Sequence, residues 1–142
     1  MSDYTVLVPV DGSDHASAGL EYACTTYTDA TLLVVHVVSP GLLPREGISS
    51  FDDVERRVDE ARERTTQILE EARELAGKHG REVSTDVAFG HPPAAITEYA
   101  TQEDVDHIIL GSRGESADLD RRLGSVAEAV LRDAPTLVTI VR

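Results

Sequence analysis

The feature that most constrains the fold is the segment TLLVVHVV at residues 31–38, which is apolar at nearly every position. Continuous apolarity, in place of the alternation of a half-exposed strand, is typical of a parallel β-strand covered on both faces. Four further short segments are predicted as strands, at residues 4–10, 82–89, 106–111 and 136–141. A sheet with both faces covered is therefore the first expectation.

Segments with helical periodicity lie between these strands. A first apolar face runs from Ala16 to Tyr27, and a longer one runs from Val54 to Ala76 among charged residues, with glycines after it that end the helix. Residues 90–100 carry prolines suited to a first helical turn, and residues 125–134 form the last predicted helix. The predicted order is βαβαβαβαβ.

This alternation predicts an α/β fold, because each right-handed crossover between parallel strands needs a helix to cover it. We expect a single domain over residues 1–142, built as a three-layer αβα sandwich around a five-stranded parallel sheet of order 3-2-1-4-5. In such sheets ligands bind beyond the carboxyl ends of the strands, where the strand order reverses. That position lies between VDGS at residues 10–13 and LGSRG at residues 110–114.

The charge balance excludes two classes of partner. Acidic residues outnumber basic ones 26 to 13, and the net charge of −13 repels nucleic acid and anionic membrane surfaces. Lys78 is the only lysine. A surface rich in carboxylates and poor in lysine resembles proteins of salt-loving organisms, in which counterions screen the self-repulsion. We therefore expect a halophilic protein without nucleic-acid or membrane partners.

The opening segment, the length of the apolar runs and the single cysteine together predict the cellular compartment. The opening MSDYTVLVPVDGS has no basic region of a signal peptide, and no apolar run approaches the roughly 18 residues of a membrane span. The single cysteine, Cys24, falls on the apolar side of the first helix and is expected to be a reduced, buried thiol. These features predict a cytoplasmic protein.

The segment ILGSRGESADLDRRLGSV at residues 109–126 joins the fourth strand to the last helix. Its glycines Gly111, Gly114 and Gly124 can turn several N–H groups towards one anion, and a helix that starts near Ser125 favours a phosphate. However, Ser125 and Glu128 also match a capping box, in which Ser125 only caps its helix. The residue types alone leave both interpretations open.

A family resemblance bears on this choice. The spacing Gly111-x2-Gly114-x9-Gly124-Ser125 resembles the G-x2-G-x9-G-[S/T] pattern of the ATP-binding branch of the universal stress proteins. The resemblance extends to VLVPVDGSDHA in the first strand and turn, LLVVHVV in the second strand and TLVTIVR at the end. It covers essentially the whole chain and implies a Rossmann-like, adenine nucleotide alpha hydrolase-like fold.

The resemblance also implies which residues contact a nucleotide. At the end of the first strand it implies adenine contacts from Pro9, Val10 and Asp11, and in the second strand it implies a contact from Val37 beside the adenine. In the first part of the glycine loop it implies ribose and phosphate contacts from Gly111, Arg113 and Gly114. At the start of the last helix it implies phosphate contacts from Gly124, Ser125 and Val126. For Asp11 the alternative is a plain turn residue in DGSD.

The loop departs from the family pattern between Gly114 and Gly124, where ESADLDRRL is rich in carboxylates. This departure concerns the triphosphate end, so AMP or ADP is expected to bind as well as ATP, and a cyclic nucleotide would use the same loop. Mg²⁺ is expected with the nucleotide, coordinated largely by phosphate oxygens and water. We expect no metal site of the protein's own, because no two of the five histidines have the i, i+4 spacing of a helical zinc site.

The function implied is that of a nucleotide-binding regulatory dimer of the stress response, paired through residues 136–141. The alternative keeps the fold without the nucleotide, as a dimeric stress or chaperone-like interaction protein. An ATP-using enzyme of another class is the third hypothesis, although Lys78 has no P-loop motif around it. No pair of residues forms a convincing nucleophile and base, so we assign no catalytic residue and expect slow ATP hydrolysis at most.

Overall fold

Parallel strands alternate with helices along the chain in the computed structural model, which describes residues 4–39, 50–113 and 123–142. The strands and helices match the predicted order, with β1 and β3 two residues shorter and β4 and β5 one residue shorter than expected. In chain order they are β1 (Thr5–Pro9), α1 (Asp14–Thr26), β2 (Thr31–Val38), α2 (Phe51–Lys78), β3 (Ser84–Phe89), α3 (Pro92–Gln102), β4 (His107–Gly111), α4 (Ser125–Asp133) and β5 (Leu137–Val141).

The sheet has the order β3-β2-β1-β4-β5, and all four strand pairs are parallel. The predicted α/β class and strand order are therefore confirmed. The order reverses between β1 and β4, which are neighbours although two strands separate them along the chain. The carboxyl ends of β1 and β4 thus meet at the predicted crevice.

Both faces of the sheet are covered. Along β1, Val6 and Val8 pack with α1 and α2 on one face, while Leu7 packs with α3 and α4 on the other. All three side chains are fully buried, and each buried side chain of this kind contributes roughly 1.5–3 kcal/mol. This two-sided burial explains why the strands carry continuous apolar runs, and it confirms the three-layer sandwich.

The long helix α2 differs in part from its prediction. It begins at Phe51, because the Ser50 side chain accepts a hydrogen bond from the Asp53 N–H and so caps the first turn. The predicted apolar face starts at Val54, but the helix is buried only from Thr65 onwards, within the described part of the chain. No helix among the described residues is long and apolar enough to cross a membrane.

The end of α1 is fixed by an arginine from a distant part of the sequence. The Arg81 guanidinium donates hydrogen bonds to the carbonyls of Cys24, Tyr27 and Ala30, at 3.0, 2.9 and 2.7 Å. A cation at this position also complements the negative end of the helix dipole. The Cys24 side chain is buried, as predicted, and burial raises the pKa of its thiol.

Candidate functional site

The β1–α1 turn forms the first wall of the crevice. The Asp11 Oδ1 atom accepts a hydrogen bond from the Ser13 N–H at 2.9 Å, and the Ser13 side chain in turn caps α1 through the Ala16 N–H. Gly12 between them has a φ of +86°, a conformation that residues with side chains rarely adopt. Asp11 is therefore a turn residue, as the alternative interpretation held, at the point where a ligand contact is also predicted.

A buried histidine supports the same turn. His36 on β2 is 7% exposed, and its Nδ1 atom lies 2.8 Å from the carbonyl oxygen of Val10. Val10 itself is buried and follows the last residue of β1. No pattern in the sequence marks His36, because a contact across 26 positions leaves no periodicity or spacing.

Gly111 ends β4 against the backbone of α1. A Cβ atom at this position would lie 2.4 Å from the carbonyl carbon and oxygen of His15 and 2.8 Å from the Ala16 nitrogen. These distances are far below any van der Waals contact, so only glycine allows the helix to pack this closely. The structure gives Gly111 a packing role, whether or not it also approaches a ligand.

The glycine loop is closed at its base. The Gly124 N–H donates to the carbonyl of Ser112 at 2.8 Å, and the Ser112 N–H donates to the carbonyl of Val141 at 2.9 Å. The end of β4, the start of α4 and the end of β5 are thereby joined. Arg113 is half-buried beside this junction, whereas Gly114 lies outside the described residues.

The start of α4 differs from the capping-box prediction. Gly124 is the N-cap residue, with φ −66° and ψ 161°, and no side chain makes a capping hydrogen bond. Ser125 is the first helical residue and is exposed, so it cannot cap its own helix. The capping-box interpretation is therefore wrong, because the helix begins one residue earlier than it requires. The first-turn N–H groups of α4 have no side-chain acceptor in the described structure.

The predicted site residues that the structure describes lie at the carboxyl ends of neighbouring strands. Pro9 ends β1, Val10 and Asp11 follow it, and Val37 lies near the end of the adjacent β2. On the other side of β1, Gly111 ends β4 and Arg113 lies two residues beyond it. The N-cap Gly124, followed by the first α4 residues Ser125 and Val126, is tied to the end of β4 through Ser112. The described residues contain no group of three histidine, cysteine or acidic side chains arranged to hold a metal ion.

Comparison with known sequences identifies relatives over nearly the full length of the chain. The sequence model of the Universal stress protein family matches residues 4–142. Universal stress protein YxiE of Bacillus subtilis is 32% identical over 144 residues, covering 96% of this chain and 97% of its own. A universal stress protein of Thermus aquaticus, from the QAH/OAS sulfhydrylase 3′ region, is 34% identical over 141 residues, with 97% and 98% covered.

Solved structures show the same fold. The universal stress protein UspA of Lactobacillus plantarum superimposes with a TM-score of 0.79 at 22% identity, over 100% of this chain and 99% of its own. A universal stress protein in complex with cAMP gives 0.71 at 27% identity, over 98% and 97%. The Archaeoglobus fulgidus universal stress protein in complex with dAMP gives 0.65 at 23% identity, over 100% of both chains.

Proposed function

Because the chain belongs to the universal stress protein family, we propose that it is a cytoplasmic regulatory protein of the stress response that binds an adenine nucleotide. The nucleotide is ATP, or AMP or ADP, and Mg²⁺ accompanies the phosphates. One observation carries the proposal. The carboxyl ends of β1, β2 and β4 and the start of α4 lie together at the crevice where the strand order reverses.

The adenine end is proposed at β1 and β2. Pro9 and Val37 are half-buried and Val10 is buried, so they offer apolar surface to a planar base. Asp11 follows directly, in a turn whose main chain is fixed by the hydrogen bond to Ser13. Apolar walls with a few fixed polar groups are typical of small-molecule sites.

The phosphate end is proposed at the start of α4. Gly124 adds no Cβ atom, Ser125 presents an exposed hydroxyl, and the first-turn N–H groups, including that of Val126, carry the positive end of the helix dipole. Arg113 beside them adds positive charge, and we include Gly111 and Gly114 as backbone contacts of the same loop. Mg²⁺ keeps several of its waters, so phosphate oxygens and water would hold it here.

Calorimetric titration with ATP and Mg²⁺ in high KCl tests the proposal. We expect saturable binding by the wild type and a loss of about tenfold or more in the Gly124→Val variant, whose side chain would block close approach of the phosphates. The backbone angles of Gly124 are open to valine, so the variant is expected to fold. Gly77→Ala is the control, because Gly77 has open space around it, far along the chain at the end of α2.

The same titration discriminates the remaining hypotheses. AMP should bind with less dependence on Gly124 than ATP, since it lacks the two outer phosphates. If folded wild-type protein gives no heat with ATP, ADP, AMP or cAMP, the nucleotide proposal is overturned. The interaction-protein hypothesis would then stand, and the packing of Gly111 against α1 favours it, because that glycine is needed without any ligand.

We propose further that the protein is a homodimer paired through residues 136–141. The sheet has two open edges, β3 and β5. On β3 the Asp86 carboxylate accepts the Val87 N–H at 2.8 Å and so places a charge on the edge. On β5 no carboxylate stands in the strand, and Leu137 is 65% exposed. Each edge exposes an apolar side chain, Phe89 on β3 and Leu137 on β5, so the absence of a carboxylate makes β5 the edge that a second copy can cover.

A further inference from the structure

The hydrogen-bond ladder between β1 and β2 changes its donor at Val10. Pro9 is paired with Val35, and the Val10 N–H donates to the Val35 carbonyl at 2.8 Å. In a regular parallel ladder the Val10 carbonyl would next accept the N–H of Val37. Among the residues described, no backbone N–H reaches that carbonyl, and the His36 Nδ1 atom lies 2.8 Å from it instead.

This contact fixes the proton on the ring. A carbonyl oxygen only accepts hydrogen bonds, so Nδ1 of His36 must carry the hydrogen. The side chain is 7% exposed and stands on the strand next to Val10, which leaves it little freedom to move. The imidazole thus acts as a rigid donor in place of a backbone amide.

We propose that His36 is a positioning residue of the nucleotide site, an inference that rests on the proposed function. By holding the Val10 carbonyl, the ring sets the direction in which the chain leaves β1 towards Asp11. Because the ring takes the place of the Val37 N–H at this carbonyl, that N–H makes no ladder hydrogen bond to Val10 and faces the gap between β1 and β2. There it is available to an acceptor atom of a nucleobase seated against Val10 and Val37.

The second buried histidine provides a comparison within the same protein. His107 is 5% exposed and lies at the start of β4, at the opposite end of the sheet. Its Nδ1 and Nε2 atoms are bonded to the Tyr4 hydroxyl and the Thr139 hydroxyl, at 3.1 and 2.7 Å. His107 therefore joins β4 to β5 and to the residue before β1, away from the crevice, and a variant there reports on stability alone.

Two substitutions at His36 separate its hydrogen bond from its volume. Asparagine places an amide N–H two bonds from Cβ, as Nδ1 is, whereas leucine fills the space without a donor. We expect His36→Leu to weaken AMP and ATP binding by about fivefold to tenfold, the value of one hydrogen bond, and His36→Asn to restore most of it. His107→Leu should lower the stability but leave the nucleotide Kd unchanged in calorimetry below its melting temperature.

The binding measurements distinguish failure of the proposed role of His36 from failure of the proposed nucleotide binding. Nucleotide binding by the wild type that is equal in His36→Leu overturns the role of His36 and leaves the proposed function intact. Absence of binding in the wild type overturns both. If His36→Leu does not fold, His36→Gln replaces it, because its donor lies one bond further out. Weakened binding by that variant supports the proposal and wild-type affinity overturns it.

A spectroscopic measurement on the wild type completes the test. Long-range ¹H–¹⁵N correlation of the imidazole should show the hydrogen of His36 on Nδ1, with slow exchange against solvent. A proton on Nε2 alone would contradict the hydrogen bond to Val10, and the proposal with it.

Discussion

Gly111 and His15 touch through their backbones, so that a Cβ atom on Gly111 would lie 2.4 Å from the His15 carbonyl. Gly111→Ala therefore forces α1 away from β4. We expect a loss of about 2–3 kcal/mol in the free energy of unfolding, measured by urea titration.

Gly77→Ala is the matched control for that variant. Gly77 lies in the last turn of α2 with no atom within 4 Å of an added Cβ. Alanine should raise the stability by about 0.5–1 kcal/mol, because it restricts the unfolded chain and suits a helix. Equal effects of the two substitutions would contradict the packing argument.

Arg81 is partly buried and is expected to contribute to stability through the end of α1. Its guanidinium donates to three carbonyls at the end of α1, so Arg81→Met should cost about 2 kcal/mol in the free energy of unfolding. Arg73→Met is the control, because Arg73 is exposed and makes one hydrogen bond, to the Thr85 hydroxyl. That change should cost below about 0.5 kcal/mol in the same urea titration.

His107 makes stability depend on pH. Burial lowers the pKa of His107 below its ordinary 6.5, so the unfolded chain binds the proton more readily than the folded one. The free energy of unfolding should therefore fall as the pH drops below 6.5, and this contribution is fully present above that value. Urea titrations from pH 8 to pH 5 should show a shallower decline in His107→Gln. An unchanged decline would contradict the assignment.

The β5 edge is expected to hold the dimer. Leu137→Lys places a charge on an apolar edge strand and should convert the dimer to a monomer in sedimentation equilibrium. Phe89→Lys is the control on the β3 edge, where Phe89 is 77% exposed, and it should leave the mass unchanged. Dissociation by Phe89→Lys alone would place the interface on the other edge.

Salt should stabilise the protein. The net charge of −13 makes the folded chain repel itself, and in about 1 M KCl the Debye length falls to about 3 Å. We expect the melting temperature to rise steadily from low-salt buffer to molar KCl. A melting temperature that does not depend on KCl would contradict the halophilic interpretation.

The fold could be predicted almost completely from sequence because its signals are local and repeated. The continuous run at residues 31–38 predicts β2 with the bounds that the structure has. Helix ends were harder, since caps depend on single residues. The Ser50 cap starts α2 at Phe51, before its apolar face, and Gly124 rather than Ser125 caps α4.

The position of the candidate site in the fold could be predicted from the sequence, but the individual contacts around it could not. The strand order brings the predicted residues that the structure describes to the carboxyl ends of neighbouring strands, because topology follows from the βα alternation. The contacts of His36 with Val10 and of Arg81 with the end of α1 join residues 26 and more positions apart. Such pairs depend on the folded geometry, and no pattern in the sequence indicates them.

The hydrogen bond from the Gly124 N–H to the Ser112 carbonyl has a consequence for how such a chain can diverge. It fastens the two stems of the glycine loop directly to each other, and Ser112 is fastened to β5 as well. The segment at 114–122 can therefore be exchanged or lengthened while sheet and helix keep their alignment, at the small entropic cost of a longer closed loop. The sequence of this interval can thus diverge between related proteins while the packing of the core stays the same.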